Sequence, residues 1–347
     1  MIEIENKLYI RPEKNGITVY EKDTNLYKFY ENLGVKEIEK LNTFKEVQEY
    51  LDKKSNLVNT NIDYSQPFRI NWLIEERCNL DCIYCFADDK MENNETRENI
   101  LETANHILNL GFMNVGLSGG EPTISPYLKD LIETFKGKCS INIDTNGTIN
   151  QLGDMAKLLK EANVLVRITI DSVNPEILSK VRPCKNKNLN QLEIIKDNIK
   201  KLQKENVPIM IHTVVTQINK DYLFDVAKEL VNLGVKRWHM YGVNYAEKCK
   251  DFYEEIKLNN SELNEVYLAV KKEFGDKINM SVYFDEGNYS ANSVLLINSE
   301  GKFYLDSIKN GIHYIGKNPK LPTLEEINND LDTKLHCKGY LWTPSLL

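Results

Sequence analysis

The sequence predicts an α/β protein: an open, partial (β/α)6 barrel with a small N-terminal extension and a C-terminal α+β cap. From Phe68 onward, short apolar runs rich in β-branched residues alternate with amphipathic helical stretches through six consecutive units. That order makes a parallel sheet with right-handed crossovers. Six units point to an open barrel, with chemistry at the carboxyl ends of its strands. The 347 residues, 41% hydrophobic and 27% charged, have the balance of a soluble globular protein. That length holds about two domains or one large α/β barrel.

Residues 1–65 differ from the rest. LYIRP and GITVY read as two short strands around the turn-prone EKNG, and NTFKEVQEYLDKK reads as a polar helix. The extension ends near the polar Asn59-Thr60-Asn61 and carries no catalytic cluster. The barrel is expected over 66–245. FRINWLI is its first strand. RENILETANHILNLG is an amphipathic helix stopped at Gly111, a C-terminal cap position. NVGLS is the second strand, after which Ser125-Pro126 opens a helix with Ser as cap and Pro at the first helical position. SINID and QLGDMAKLLKEA follow, then VLVRITID and NQLEIIKDNIKKLQKEN. VPIMIHTVVT, YLFDVAKELVNLG (ended by Gly234) and VKRWHMY complete the alternation. After Val243 the pattern changes, so 246–347 is expected to be a cap. NSELNEVYLAVKKEF is its helix, INMSVYF a strand, SVLLI-NSEG-KFYL a hairpin, and one short helix follows Pro319.

A net charge of −7 argues against a nucleic-acid binder, which needs a basic footprint. No apolar run approaches the ~18 residues of a membrane span, so no membrane partner is expected. The start, MIEIENKLYIRPEK, lacks the basic and apolar segments of a signal peptide. A cytoplasmic location is therefore expected, where thiols stay reduced. The seven cysteines are Cys78, Cys82, Cys85, Cys139, Cys184, Cys249 and Cys337. Three crowd into eight residues while four are scattered, which favours a metal site over a disulfide framework.

The crowded three lie in RCNLDCIYCFA, as C-x3-C-x2-C directly after the first barrel strand. Thiolates are the ligands of iron–sulfur clusters. A tight loop could aim three of them at three irons and leave a fourth iron open. The competing reading is a structural zinc site completed by His106 or Cys139, although the second cysteine pair of such sites is absent. The next strand runs into Gly119-Gly120-Glu121-Pro122. Paired glycines let backbone carbonyls come close to a ligand, and a carboxylate beside them can accept from an ammonium group. Read alone, that motif is a strand-to-helix turn. Neighbouring parallel strands, however, would bring it to the cysteine loop.

With this motif pair, residues 68–245 resemble the radical SAM superfamily. The resemblance implies that Cys78, Cys82 and Cys85 hold a [4Fe-4S] cluster whose fourth iron is chelated by S-adenosyl-L-methionine. It puts Tyr84 near the adenine. Gly119, Gly120, Glu121 and Pro122 would hold the methionine amino group, with Glu121 as acceptor. Asp144-Thr145-Asn146-Gly147 matches the family's Thr-Asn-Gly turn after the third strand. Thr169-Ile170-Asp171-Ser172 falls where relatives carry Ser-x-Asp, so the Thr169 hydroxyl is expected near the ribose or carboxylate. Arg182 matches an arginine that pairs with the methionine carboxylate, a suitable task for a forked cation. Val214 and Val215 would pack on the adenine. Otherwise Asn146-Gly147 is only a turn and Arg182 a surface charge. The implied reaction is reductive cleavage of S-adenosylmethionine to a 5′-deoxyadenosyl radical, which removes hydrogen from a substrate C–H bond. The cofactor supplies the chemistry and the protein orients it. A flavodoxin or ferredoxin is the expected electron donor.

Many peptide-modifying relatives carry further cysteines for extra clusters, but this chain has only Cys249 and Cys337 after the barrel. Either, or Cys184, is a candidate hydrogen donor to a substrate radical. The competing reading is a buried, idle thiol. His212, His239 and Tyr241 fall at or near the ends of strands five and six, where a substrate should sit. Histidine titrates near neutral pH and can serve as acid, base or acceptor. Tyr304 and Asp306 on the hairpin are placed to close the same pocket, while the 285–290 segment DEGNYS reads as a solvated turn. The second half also resembles the viperin group, through Arg237-Trp238 and the strand SVLLI. That group grips a nucleoside triphosphate with a Lys-x-Asn and a lysine after Arg-Trp. Here those positions read Met210-Ile211-His212 and His239, so both lysines are missing, and a triphosphate needs cations or metal. The expected substrate is thus a peptide side chain, as in peptide natural-product maturation. A nucleotide or other small molecule in a viperin-like pocket is the alternative. A non-catalytic zinc protein is the alternative of another class. Relatives that modify ribosomal peptides often grip a leader segment with an N-terminal module. This extension is short for that and is expected at most to cap the barrel.

Overall fold

The computed structural model describes residues 1–5, 7–22, 26–54, 66–86, 95–186, 189–284, 294–307 and 311–333. The chain opens with an antiparallel sheet of β1 (Ile2–Ile4), β2 (Leu8–Glu13), β3 (Gly16–Glu21) and β4 (Leu26–Glu31), in that order. Two strands were expected here and four form. The three-residue β1 is too short to carry a period-2 signal, and Leu26–Glu31 mixes aromatic with charged residues. Helices α1 (Val35–Ile38) and α2 (Phe44–Asp52) follow. The start of α2 is fixed by a capping box between Thr43 and Glu46.

Successive strand residues point to opposite faces, and this small sheet uses both. Ile10, Ile17 and Val19 pack under Ile38, Val47 and Leu51. Tyr9, Tyr20, Tyr27 and Phe29 pack on Phe68 and Met113, the residues leading into two strands of the larger sheet. Arg11 adds hydrogen bonds of 2.9 Å to the carbonyls of Gln66 and Pro67. The small sheet therefore covers the amino-terminal end of the larger one.

The larger sheet begins with β5 (Arg69–Glu75), α3 (Arg97–Leu110), β6 (Asn114–Gly119) and α4 (Leu128–Phe135). It continues through β7 (Ser140–Thr145), α5 (Gln151–Asp154), α6 (Ala156–Glu161), β8 (Leu165–Thr169), α7 (Pro175–Val181) and α8 (Gln191–Lys204). Then come β9 (Ile209–Val214), α9 (Leu223–Asn232), β10 (Arg237–Tyr241), α10 (Tyr253–Ile256), α11 (Asn260–Phe274) and β11 (Asn279–Tyr283). The last elements are β12 (Leu295–Ile297), β13 (Phe303–Ser307), β14 (Gly311–Tyr314) and α12 (Leu324–Asp330).

The strand order is β11-β10-β9-β8-β7-β6-β5-β12-β13-β14. Strands β5 to β11 are parallel and adjacent in chain order. No pairing among the described residues joins β11 to β14, so the sheet stays open, as an open partial barrel requires. The parallel order runs one strand further than the sequence pattern suggested, because β11 pairs with β10 beyond Val243. The predicted hairpin pairs through β12 with β5 and so extends the same sheet at its other edge.

Three local differences have plain causes. Helix α4 starts at Leu128 rather than at Ser125, because Pro122–Ile124 takes a 3-10 turn first and the Ser125 hydroxyl accepts from the Tyr127 amide. The stretch read as one helix from Gln151 breaks at Met155 into α5 and α6. Helix α7 was not anticipated. Asn174 caps it and Pro175 opens it, the favoured start for a short helix.

The two faces of the large sheet differ in character. On one, Trp72, Leu117, Ile143, Ile168 and Trp238 join helix residues such as Ile107, Ile132 and Ile199 in a continuous apolar core. The other face presents Asn71, Asp144, Arg167, His212, His239 and Tyr241. Parallel sheets are ordinarily apolar on both faces. This polar face departs from that rule.

Candidate functional site

The cysteine loop and the predicted residues from Gly119 to Val214 lie at the carboxyl end of the parallel strands. The cysteine loop leaves β5 and is fixed at once to the end of β6. The Gly120 amide donates to the Glu75 carbonyl at 2.6 Å, and the Glu121 amide to that of Arg77 at 2.9 Å. Gly119 has φ +136°, and a Cβ there would lie 2.0 Å from the Glu75 carbonyl oxygen. A Cβ on Gly120 would lie 2.5 Å from the carbonyl oxygens of Glu76 and Arg77. These glycines thus admit the backbone of the cysteine loop itself. The far side of the loop rests on the segment after α7. Amides of Asp81 and Ile83 donate to the carbonyls of Pro183 and Val181, and that of Lys185 to Asn79.

Glu121 is fully buried, and its carboxylate accepts from four donors. These are the Thr123 amide (3.0 Å), the Thr123 hydroxyl (2.5 Å), the Thr145 hydroxyl (2.7 Å) and the Asn146 amide (2.7 Å). Burial pushes its carboxyl above the usual carboxylate range, against the bonds from Thr123, Thr145 and Asn146. The chain's own donors thus engage both carboxylate oxygens, and Glu121 ties the turn after β6 to the turn after β7. Pro122 is buried beside it and opens the 3-10 turn.

Asn146 does more than make a turn. Its side chain donates to Asn79 Oδ1 at 2.8 Å and to Cys78 Sγ at 3.7 Å, and accepts from Thr148. The Leu80 amide also donates to Cys78 Sγ, at 3.4 Å. Donors of this kind tune sulfur ligands of iron–sulfur clusters. Burial, the largest influence, pushes the Cys78 thiol up and the Cys82 thiol up to about 12. The donor set, three thiols on one short loop with amides aimed at sulfur, is chemically suited to an iron–sulfur cluster. Among the described residues no three His, Cys, Asp or Glu side chains are gathered at metal-binding distance. His106 bonds the Pro322 carbonyl and Cys139 lies in the core, so neither completes a zinc site with the loop.

Arg182 is fully buried, so the surface-charge reading is wrong. Its Nη1 donates to the Thr169 carbonyl and its Nη2 to that of Asn146 at 2.8 Å, while Nε stands 3.8 Å from Asp171. Each Nη thus gives one of its two N–H groups to the end of β7 or β8. Asp171 is buried as well. It accepts from the Tyr84 hydroxyl at 2.5 Å and the Val214 amide at 2.8 Å. Burial raises its carboxyl above the usual range, opposed chiefly by Arg182. Tyr84 and Val214 share one apolar patch, beside Ile83 and Val243. The Thr169 side chain is half-buried at the rim.

Cys249 is also in that patch, fully buried, and its thiol donates to the Ala246 carbonyl at 3.3 Å. The thiol is thus packed and hydrogen-bonded within the patch. Cys337 and the 285–290 segment lie outside the described residues. Cys184 bonds the Asn79 carbonyl behind the cysteine loop.

His212, His239 and Tyr241 do come together, on the polar face. The two imidazoles are nearly parallel at 5.8 Å, and Tyr241 stacks on Tyr283 at 4.9 Å. Burial, then Arg167 and Arg237, holds His239 down to about 4, and burial and Arg167 also push His212 down. Sequence reasoning missed Arg69 and Arg167 beside them and read Asp144 only as part of a turn. The available signal was a charged residue at the inward position of three apolar strands, FRINWLI, SINID and LVRIT. It also missed Asn198, which lies on α8 and holds the carbonyls of Gly147 and Ile149.

Comparison with known proteins agrees with this geometry. Residues 72–230 match the family model described as the Radical SAM superfamily. An uncharacterized protein of Methanocaldococcus jannaschii is 34% identical over 171 residues, covering 47% of this chain and 58% of that protein. A probable GTP 3′,8-cyclase of the same organism is 27% identical over 199 residues, covering 55% and 64%. The chain thus spans about three fifths of the length of these curated relatives. Among solved structures, Streptococcus suis SuiB superposes with a TM-score of 0.68 at 14% identity, covering 96% of this chain and 89% of SuiB. The protein anSMEcpe, solved with bound AdoMet, gives 0.60 at 19%, covering 79% and 83%. At these identities the structures speak for the fold. Residues 72–230, a little under half of the chain, thus resemble the Radical SAM superfamily, and the solved structures share the chain's fold.

Proposed function

We propose that the chain is a radical SAM enzyme in which Cys78, Cys82 and Cys85 hold a [4Fe-4S] cluster and the rim from Gly119 to Val214 holds S-adenosylmethionine. When bound, these cofactors supply a one-electron cleavage of the sulfonium, which yields methionine and a 5′-deoxyadenosyl radical that can take hydrogen from a C–H bond. The observation that carries the reading is the hydrogen-bonded rim. Glu121, Asn146, Asp171 and Arg182 fasten the cysteine loop to the ends of β6, β7, β8 and β9. Such fastening keeps a reactive group oriented and water excluded. The carbonyls of the Gly119–Gly120 turn are the acceptors we assign to the methionine ammonium. Tyr84 and Val214 supply the apolar surface for the adenine. Electrons would come from a flavodoxin or ferredoxin. No described helix is long and apolar enough to cross a membrane.

For the substrate we propose a peptide side chain. SuiB, whose fold this chain shares over nearly its whole length, is also described bound to its precursor peptide SuiA. A small molecule related to a nucleotide is the second reading, favoured by the GTP 3′,8-cyclases among the sequence relatives.

The test is anaerobic reconstitution, then dithionite and S-adenosylmethionine, with 5′-deoxyadenosine read by mass spectrometry. We expect about four irons per chain and product that needs all three loop cysteines. Protein that takes up zinc and no iron would refute the reading. Hydrogen transfer from candidate peptides and nucleotides, followed by deuterium, then separates the two substrate classes.

A further inference from the structure

We infer that the polar face of the parallel sheet contains a binding site for an anionic substrate group, a carboxylate or a phosphate, received by Arg167 with Arg69. The inference rests on the proposed enzymatic reading and names a property of its substrate.

The argument starts from charge. Arg167, 8% exposed, donates through Nη2 to Asp144 Oδ2 at 2.5 Å. Arg69 Nη2 stands 4.0 Å from that same oxygen, and its Nε donates to Asn71 Oδ1 at 2.9 Å. Both guanidinium groups thus meet the same Asp144 oxygen, and Arg237 adds a further positive influence on the face. Buried charges are costly unless paired, and buried polar groups are nearly always hydrogen-bonded. Yet Arg167 Nε, Asp144 Oδ1 and His212 Nε2 are buried without a hydrogen-bond partner. Of these, Arg167 Nε is a donor, and an incoming anion would supply its acceptor.

The shape of the face agrees. Gly116 on β6 lies between these groups, and a Cβ there would stand 2.4 Å from Asn71 Oδ1 and 2.7 Å from Arg69 Nη2. The glycine lets both side chains lie across the strand. Asp144 remains one-third exposed, so the floor is open rather than sealed. His212, His239, Tyr241 and Tyr283 wall its β9–β11 side with stacked rings. Burial and Arg69 lower the Arg167 guanidinium from its ordinary value, against Asp144.

A purely structural role for the arginines in joining β5, β7 and β8 is the competing explanation, and Asp144 separates the two. The experiment is titration calorimetry on the full chain, reconstituted anaerobically, with S-adenosylmethionine present and ionic strength held constant with chloride. Inorganic phosphate and succinate serve as the two probes. We expect saturable binding, and the probe that binds more tightly identifies the anion as phosphate or carboxylate. R167Q should weaken it about tenfold or more, the effect of one charge-assisted hydrogen bond. R167K, which keeps charge but loses the fork, should fall between. D144N should strengthen binding, because it frees both arginines. A misfolded variant would not do that. The inference fails if neither probe binds saturably or if D144N leaves affinity unchanged or lower. Equal affinity in wild type and a folded R167Q would mean an adventitious ion only, and also overturns it. Binding is read as heat rather than product. A chain that forms 5′-deoxyadenosine but binds neither probe sinks this inference alone, whereas one that binds the probe but takes no iron sinks the enzymatic reading.

Discussion

Gly119 shows how one missing Cβ positions chemistry. Its φ of +136° and the 2.0 Å approach to the Glu75 carbonyl leave no room for a side chain. Gly119→Ala should cost about 2 kcal/mol or more, from backbone strain and steric displacement together, read as a lower denaturant midpoint. It should also lower the iron bound on reconstitution, because the cysteine loop would move off β6. Normal stability with normal iron would contradict that account. Glu121→Gln is the matching electrostatic test. An amide cannot accept at both ends, so one of four buried donors loses its partner, at a cost of about 1–3 kcal/mol. His239 gives a pH-dependent counterpart. Its folded value is lowered to about 4 by burial, Arg167 and Arg237, with His212, Tyr241 and Tyr283 the other titratable groups against its ring. A histidine depressed on folding binds fewer protons folded than unfolded. Stability from this group is therefore present above its ordinary value of 6.5 and lost as pH falls from there to about 4. An NMR titration should find the His239 imidazole neutral through that window. A transition near 6.5 would show that the ring is solvated.

At the scale of elements, α7 links the two halves of the rim. Asn174 accepts from the Glu176 and Ile177 amides, and the helix delivers Arg182 to the carbonyls of Thr169 and Asn146. Asn174→Ala removes the cap and should cost about 1 kcal/mol. Because Arg182 follows directly, the loss should also increase hydrogen exchange at the Asn146 and Ile83 amides more than at β10. Uniform exchange would mean that the helix does not hold the rim. This element also shows what the sequence could not display. SVNPEILSKV is short, and its apolar residues gave no sustained 3.6-residue period against the stronger strand before it. The six long βα units were legible because each carries a full period and a cap or stop. The cysteine loop and Gly119–Pro122 were legible because their residue types have few other uses. The arginine–aspartate floor was not. Its three charges are spread over β5, β7 and β8, and only the register of those strands brings them together.

For the whole molecule, the question is why the small N-terminal sheet is there. Its aromatic face, Tyr9, Tyr20, Tyr27 and Phe29, packs on Phe68 and Met113, with Tyr27 and Phe68 stacked at 4.8 Å. Fully burying a large apolar side chain is worth about 1.5–3 kcal/mol, so this contact covers apolar surface that the amino-terminal end of the large sheet cannot hide by itself. Arg11 reinforces it by binding the carbonyls of Gln66 and Pro67 and sitting over the Phe68 ring at 5.0 Å. Removing residues 1–54 should therefore leave a chain that binds a hydrophobic dye, associates in gel filtration and melts at lower temperature. Tyr27→Ala in the full chain should reproduce part of the thermal loss, about 3–5 kcal/mol at most for so large a truncation. The rim, at the opposite end of the strands, shares no hydrogen bond with this sheet among the described residues. Iron uptake by the Tyr27→Ala chain below its melting temperature should then match wild type. If iron uptake falls while the large sheet remains folded, the small sheet influences the rim as well as covering the base.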